Sequence, residues 1–276
     1  MAISILTNQS SLSSQKNLQK TTQALSANFS KLSSGQRINS AADDAAGLAI
    51  SEKMKTQMRS MSQAERNAND GISLLQTAEG ALNENAGVLT RMRELAMQSA
   101  NGTLGTTERD KIQTEFTQLR TEIGRIADAT EFNGQKLLKA GGSTISFQVG
   151  IKNDSATDRI DATMVDGSIA GYGIGSASVA TAGDAQAALD VLDTALEKTS
   201  KGRADLGSVQ NRLQVTVSNL QTANTNLAAA NSRIRDVDVA EESAAMTKNN
   251  VLSQAGIAVL SQANQLPSMA LSLLRG

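Results

Sequence analysis

The stretch that decides the fold runs from Leu206 to Val237, LGSVQNRLQVTVSNLQTANTNLAAANSRIRDV. Large aliphatic residues recur in it every seven positions, and mostly small residues follow three places after each. The two sets are Leu206, Leu213, Leu220, Leu227 and Ile234, and Val209, Thr216, Ala223, Ala230 and Val237. This a/d heptad pattern predicts a long helix that buries one narrow stripe. Because such a helix is not stable alone in water, it needs a partner helix.

A second ladder with the same step lies earlier in the chain, in a helix predicted from about 41 to about 99. Its members are Met54, Met61, Ala68, Leu75, Leu82, Leu89 and Ala96. We expect it to pair antiparallel with the Leu206 stretch. Ser40 is the expected cap of this helix, with Asp43 at the third position. A shorter helix, capped by Thr107, is predicted to end near Asp128.

The middle of the chain has a different pattern. Asn133-Gly134 is a turn signal. The alternation of Ile145, Phe147 and Val149 predicts a strand, and residues 159–162 can return as its antiparallel mate. The last helical run is expected to open at Gly183-Asp184.

Both ends of the chain are amphipathic and almost uncharged. Their apolar positions are Ile5, Leu12, Leu18, Leu25, Phe29 and Leu32 at one end, and Leu252, Val259, Leu266 and Leu273 at the other. Past Val237 the heptad phase slips, which fits either a local change of supercoil or a break between two helices. Pro267, the one proline, is expected to bend or interrupt the last helix. Terminal helices of this kind need more partner helices than one chain provides. Heterologous contacts between copies that do not close into a ring build open filaments.

These patterns predict a mainly α fold of long antiparallel coiled-coil helices with a small β-hairpin, and terminal helices paired as a two-helix coiled coil. Three regions follow. Residues 1–40 and 235–276 form an inner domain of paired terminal helices, residues 41–140 and 184–234 form a long-helix domain, and residues 141–183 form a small Gly/Ser-rich hairpin region.

Composition argues against several classes of function. The net charge is −1, Cys and His are absent, and four Phe and one Tyr are the only aromatic residues. We therefore expect no catalytic site, no cofactor, no metal and no nucleic-acid partner. The acidic residues between Asp236 and Glu242 lack the spacing of a calcium loop. No stretch is apolar enough for a membrane span, and no conventional cleaved signal is expected at the N-terminus.

Several long motifs resemble bacterial flagellin. They are the stretch from Leu32 to Ile50 (LSSGQRINSAADDAAGLAI), Arg91 to Asn101 (RMRELAMQSAN), Phe132 to Leu138 (FNGQKLL), Ala228 to Asp238, Gln254-Ala255-Gly256, Gln262 to Gln265 and Leu271 to Arg275. The resemblance covers roughly 1–140 and 185–276.

The resemblance implies a filament subunit that transmits motor torque for swimming, is exported unfolded by the flagellar type III apparatus and functions outside the cell. It implies self-assembly, an export chaperone bound to residues 235–276, and contact with the filament cap and hook-associated proteins. It also implies contacts with host receptors: Arg91, Leu95 and Glu115 match positions touched by an animal Toll-like receptor, and residues 30–51 resemble an epitope read by a plant receptor kinase. The large variable outer domain of most flagellins is reduced here.

Three alternatives stay open at this point. A hook–filament junction protein shares the terminal helices. An enzyme carried in the middle region would need a His-Glu-x-x-His motif, and there is no His. A free coiled-coil scaffold would keep its assembly after loss of residues 1–34 and 240–276.

Overall fold

The computed structural model describes residues 7–139 and 143–275, and for residues 266–275 it describes the backbone alone. In chain order the helices and strands are α1 (Gln9–Ser34), α2 (Ala45–Ala100), α3 (Thr106–Ala129), β1 (Glu131–Phe132), β2 (Gln135–Lys136), β3 (Thr144–Gln148), β4 (Arg159–Thr163), α4 (Ile169–Tyr172), α5 (Ala182–Arg235) and α6 (Val239–Arg275). The predicted fold class, mainly α with a small antiparallel hairpin, is confirmed.

The chain divides into two compact units. The terminal unit comprises residues up to Thr56 and from Asn226 onward, and the central unit comprises residues 57–225. The terminal unit holds α1, α6 and one end each of α2 and α5. All four strands, α3, α4 and the rest of α2 and α5 belong to the central unit.

Within the central unit, α2 and α5 lie antiparallel. Asn224 Nδ2 donates to Ser62 Oγ at 3.3 Å, Gln221 Nε2 to Glu65 Oε1 at 2.7 Å, and Arg93 Nε to Asp193 Oδ1 at 2.6 Å. Each step forward along α2 is matched by a step back along α5, as the two sequence ladders predicted. The ladder residues from Ala68 to Ala96 are buried, as are Leu206, Val209 and Leu213.

The β3–β4 hairpin covers one part of this helix pair. Its register pairs Thr144 with Thr163 and Gln148 with Arg159, so that Phe147 and Ile160 point into the core. Gly71 of α2 makes room for the aromatic ring, because a Cβ at that position would lie 3.0 Å from Phe147 Cδ1. The alternation that predicted a strand therefore marks the face that packs on α2.

A second cluster lies where α3 packs against α2 and α5. Phe116 and Ile123 of α3, Leu89 and Met92 of α2, and Leu192 of α5 are all fully buried in it. The short α4 adds Tyr172, whose pKa is raised by burial of the hydroxyl. Since these side chains come from four helices, this cluster is a globular core and not a two-helix seam.

Several helix boundaries differ from the sequence predictions. Helix α2 begins at Ala45, because Asp44, and not Ser40, caps it: Gly47 N donates to Asp44 Oδ1 at 2.9 Å. Helix α3 begins at Thr106 after Gly105, so the predicted Thr107 cap lies inside the helix. The phase slip after Val237 is a break, since α5 ends at Arg235 and α6 starts at Val239.

Pro267 does not interrupt α6. The helix runs without a gap to Arg275. A proline removes one backbone hydrogen bond of a helix, and α6 continues past it.

Candidate assembly surface

The terminal unit is built on the antiparallel pairing of α1 and α6. Asn8 Nδ2 donates to the carbonyl oxygen of Ala263 at 2.8 Å, and Ser11 Oγ donates to Asn264 Oδ1 at 2.7 Å. At the other end, Lys31 Nζ lies 4.0 Å from Glu242 Oε2. The predicted pairing of the terminal helices is therefore present within one chain, and polar contacts mark both of its ends.

The seam that α6 turns toward α1 is poor in large apolar residues. Seven of its less exposed positions recur with heptad spacing, namely Glu242, Met246, Asn249, Ser253, Gly256, Leu260 and Ala263. Gly256 permits a close approach, since a Cβ there would lie 3.3 Å from Leu18 Cδ1. On α1, Ser11 and Asn28 are the buried residues. Burial of apolar area within one chain therefore contributes less to this pairing than to the central unit.

Large apolar side chains in the terminal unit point outward instead. Among the described residues, eight of the ten large hydrophobics that are strongly exposed lie in this unit, with 47 to 62 % of their surface accessible. They are Leu12, Phe29, Ile50, Val239, Val251, Leu252, Ile257 and Val259. An exposed set of this size is typical of a surface that another molecule covers.

The exposed apolar residues of α6 are distributed around the helix and do not form one stripe. At 100° per residue, Leu252 and Val259 share one flank of the helix, Ile257 lies on the opposite flank, and Val251 faces away from α1. A helix that is apolar around its circumference is normally buried on all sides. Helix α6 therefore has more apolar surface than α1 alone can cover.

The structure sorts the predicted assembly residues into two groups. Leu18, Leu25 and Leu32 are half-buried, while Leu12, Phe29, Leu252 and Val259 are exposed. Ile5 and the side chains of Leu266 and Leu273 lie outside the described residues. The sequence reasoning missed the polar seam residues and the exposed Val251 and Ile257. The spacing of Asn249, Ser253 and Gly256 with Leu260 is the signal that could have found the seam.

A backbone clasp closes the terminal unit where α1 ends and α6 begins. Arg37 N donates to the carbonyl oxygen of Arg235 at 2.6 Å, and Val237 N donates to that of Gly35 at 3.1 Å. Gly35 adopts φ +69°, a left-handed conformation that glycine takes without strain. The Arg235 side chain adds donations to Gln36 Oε1 at 2.9 Å and Glu52 Oε1 at 2.5 Å.

The turn after the clasp is organised by the Asp43 carboxylate. Its Oδ2 accepts from Ser40 N at 2.8 Å, from Ser40 Oγ at 3.0 Å and from Asn39 N at 3.1 Å. These hydrogen bonds, those of Ser40 foremost, hold the pKa of Asp43 below its ordinary value of 3.8. Ile38, beside this turn, is one of the few buried large side chains of the terminal unit.

The three residues predicted to contact an animal receptor lie together in the central unit, but not on one surface. Arg91 is exposed and binds Glu115 Oε1 at 2.8 Å and Glu94 Oε2 at 3.0 Å. The hydrogen bond to Glu115, followed by that to Glu94, raises the pKa of Arg91. Leu95 is 2 % exposed and belongs to the core cluster of α2, α3, α4 and α5.

The described part of the chain contains no group of three or more His, Cys, Asp or Glu residues placed to hold a metal ion. None of its helices is long and apolar enough to cross a membrane.

Comparison with known proteins identifies the family. Residues 5–142 match the model of the bacterial flagellin N-terminal helical region, and residues 189–274 match that of the C-terminal helical region. The chain belongs to the bacterial flagellin family. This confirms the resemblance that the sequence motifs indicated.

Relatives with curated names agree with the family assignment. A flagellin of Halalkalibacterium halodurans is 51 % identical over 89 % of this chain and 90 % of its own length. A flagellin of Bacillus subtilis and the flagellar filament 33 kDa core protein of Treponema phagedenis are each 44 % identical over 97 % of this chain and 98 % of their own length.

Solved structures extend the likeness to the fold. A crystal structure of Bacillus cereus flagellin is 34 % identical with a TM-score of 0.50, covering 60 % of this chain and 94 % of that one. A hook-associated protein from Vibrio parahaemolyticus has a TM-score of 0.60 at 15 % identity, covering 70 % of this chain and all of that one, which shows a shared fold.

This flagellin-family chain is a subunit of the flagellar filament, and the filament is extracellular. The hook–filament junction alternative is not favoured, because the relatives that match along nearly their whole length are flagellins and filament core proteins. Their structural character agrees with the expectation that the chain is not an enzyme.

Proposed function

We propose that copies of this chain assemble through the terminal unit, with the exposed apolar residues of α1 and α6 as the contact surface. The observation that carries the proposal is the imbalance in that unit. Ile38 and Ala263 are its only buried hydrophobic residues among those described, while eight large hydrophobics are exposed.

Burial of these side chains supplies the driving force for assembly. Each large aliphatic or aromatic side chain that leaves water contributes about 1.5–3 kcal/mol. Since α6 is apolar on both flanks and on its outer face, one neighbouring copy would leave part of it uncovered. Contacts with several neighbours through different faces are heterologous, and repeated heterologous contacts that do not close build an open helical filament.

A double variant tests the surface. Leu252→Ser with Val259→Ser removes apolar area from one flank of α6 without changing the seam that faces α1. The control is Val215→Ser, which changes an exposed apolar residue in the central unit. After seeding with filament fragments, sedimentation and electron microscopy should show long filaments for the wild type and the control, and none for the double variant.

Two results would refute this proposal. One is a double variant that polymerises like the wild type. The other is a Val215→Ser variant that loses polymerisation to the same extent, which would place the main contact in the central unit. Circular dichroism and urea unfolding of the monomers establish that any loss is one of assembly and not of folding.

The domain boundaries remain part of the proposal. Residues 1–40 and 235–276 would form the inner core domain of paired terminal helices, residues 41–140 and 184–234 the long-helix domain, and residues 141–183 the small Gly/Ser-rich hairpin region that replaces the variable outer domain. Two features support the inner boundary: the clasp at Gly35–Arg37 and the helix break at residues 236–238. Deletion of residues 1–34 and 240–276 should abolish polymerisation while the central unit still unfolds cooperatively.

The same apolar helix gives a physical reason for an export chaperone. Before assembly, α6 exposes Val251, Leu252 and Ile257 to water, and a partner that covers them would prevent premature polymerisation. We therefore assign residues 235–276 as the segment that the chaperone binds. The filament cap and the hook-associated proteins are proposed as further partners at the filament ends. In calorimetry with the purified chaperone, the Leu252→Ser, Val259→Ser variant should bind more weakly than the Val215→Ser control, and equal affinities would contradict the assignment.

Recognition by a host receptor would involve the exposed ion pair of Arg91 and Glu115. Because Leu95 is buried, substitution of Leu95 tests folding as much as contact. The variant Arg91→Ala should reduce activation of receptor-reporter cells, while Arg93→Ala, a neighbouring arginine with its own partner Asp193, should not. Full activity of Arg91→Ala would remove this surface from the proposal.

The filament built from these subunits would transmit motor torque for swimming.

A further inference from the structure

The turn between α2 and α3 contains an Asn-Gly pair in which the asparagine side chain closes an Asx-turn. Asn101 and Gly102 are both exposed. Thr103 N donates to the side-chain oxygen Oδ1 of Asn101 at 3.2 Å, so the side chain folds back over the peptide that follows it. The backbone oxygen of Asn101 accepts from Arg109 Nη2 at 3.0 Å.

We propose that Asn101 is a site of spontaneous deamidation in the folded protein. The backbone nitrogen of Gly102 attacks Cγ of Asn101, and a new N–Cγ bond forms. The side-chain amide nitrogen leaves as ammonia and carries away the proton of the Gly102 N–H. Water then opens the resulting five-membered succinimide at either carbonyl, which yields aspartate or isoaspartate. Water is the only co-reactant.

The fold favours the first step at this position. The attack places negative charge on Oδ1, and the Thr103 N–H is already directed at that atom, as in an oxyanion hole. Gly102 has no Cβ to hinder the approach of its nitrogen, and a Cβ added there would meet nothing within 4 Å. Since both residues are exposed, solvent base can remove the amide proton.

A second Asn-Gly pair, Asn133-Gly134, can be compared with Asn101-Gly102 in the same chain. That pair forms the turn between β1 and β2, and both residues hold positive φ, 49° and 77°. In the described part of the chain no group donates a hydrogen bond to the Asn133 side chain. The ladder pairs on either side, Phe132 with Gln135 and Glu131 with Lys136, restrain the turn. We therefore expect the fold to hold Asn133 back while it promotes reaction at Asn101.

The deamidated fraction at residue 101 would increase with the age of a subunit. A filament subunit outside the cell gains one negative charge at residue 101, between the C-terminal end of α2 and the first turn of α3. Aspartate leaves the backbone unchanged. Isoaspartate routes the chain through the side-chain methylene group, and the carbonyl that accepts from Arg109 and from Leu104 N becomes a free carboxylate outside the main chain.

The test compares the full chain folded and unfolded in urea, at mildly alkaline pH, by peptide mapping with mass spectrometry. In the folded protein, aspartate and isoaspartate at residue 101 should appear severalfold faster than in the unfolded chain, and conversion at residue 133 severalfold slower. The variant Thr103→Pro removes the N–H donor and should bring the rate at residue 101 down to the unfolded rate or below it. Thr103→Ala keeps the donor and should leave the rate unchanged.

A folded rate at residue 101 that equals or falls below the unfolded rate would overturn the proposal. So would equal rates in Thr103→Pro and Thr103→Ala. Thermal unfolding of both variants verifies that each retains the fold, and the rate at residue 133 serves as a reference within the same sample.

Discussion

The two units of the molecule use the same heptad spacing for different purposes. In the central unit the repeating positions carry Leu, Ile and Phe, and they meet inside one chain. In the terminal unit the positions between α1 and α6 mix Ser, Asn and Gly with Met246, Leu260 and half-buried leucines of α1, and eight large apolar residues are exposed. The difference shows that a heptad repeat specifies a helix with a stripe, while the side chains on the stripe decide whether the partner is the same chain or another copy.

The largest expected effect is on the free energy of unfolding, when a phenylalanine in each unit is replaced by alanine. Phe116→Ala in the central unit empties a fully buried position and should lower the free energy of unfolding by about 3–5 kcal/mol. Phe29→Ala in the terminal unit, where the ring is 57 % exposed, should change it by no more than about 0.5 kcal/mol. Urea unfolding of the monomers measures both, and comparable losses in the two variants would contradict the contrast between the units.

Glycine substitutions in the central unit give a smaller effect whose sign depends on position. In Gly202→Ala the new Cβ would overlap Val165 Cγ2, and the resulting overpacking should cost about 1–3 kcal/mol. Gly80 lies in the interior of α2 with nothing within 4 Å of an added Cβ. Gly80→Ala should therefore stabilise the protein by roughly 0.5–1 kcal/mol. Thermal and urea unfolding distinguish the two signs, and a stabilising Gly202→Ala would show that Val165 moves aside freely.

The sequence predicted the central unit well because its signals are local and strong. The ladder from Ala68 to Ala96 is buried against α5 as expected, and the alternation around Phe147 marks the buried face of the hairpin. Helix starts were less well predicted. Asp43 and Asp44 can both accept backbone N–H groups, and only the folded turn shows that Asp43 serves the loop while Asp44 caps the helix.

The terminal unit was harder to predict, for a physical reason. Leu252 and Val259 repeat every seven residues, which suggested a seam, yet they lie on an exposed flank. The seam toward α1 mixes polar and small residues with Met246 and Leu260, and at Gly256 the missing side chain lets α1 approach closely. Periodicity shows which residues share a face, but it does not show which molecule that face meets.

The clasp tests whether the terminal unit depends on polar contacts for its stability. Arg235→Ala removes the side-chain donations to Gln36 and Glu52 and should lower the opening free energy of the Arg37 and Val237 amides by about 1 kcal/mol, a value reduced by the exposure of Glu52. Arg233→Ala, an exposed arginine without an ion pair among the described residues, is the control. Hydrogen exchange measures both, and equal protection in the two variants would show that the backbone bonds alone hold the clasp.

The smallest expected effect is on how stability depends on pH. It distinguishes a carboxylate stabilised by neutral hydrogen-bond donors from one stabilised by an arginine. In the terminal unit, hydrogen bonds from Ser40 and Asn39 lower the pKa of Asp43. In the central unit, Arg93 lowers the pKa of Asp193, first through its hydrogen bond and then through its charge. Both folded pKa values lie below the ordinary value of 3.8, so each group stabilises the fold above that pH, and this contribution is lost as the pH falls through the lowered pKa.

Salt distinguishes the two carboxylates. High ionic strength screens the exposed Arg93–Asp193 pair, so the pKa of Asp193 should rise toward its ordinary value. The pKa of Asp43 should change little, because neutral donors hold its carboxylate. NMR titration of the side-chain carboxyl carbons at low and high salt measures both values, and Arg93→Gln should reproduce the effect of salt on Asp193 alone. If salt raised the pKa of Asp43 as much as that of Asp193, charge and not hydrogen bonding would be what stabilises the turn beside the clasp.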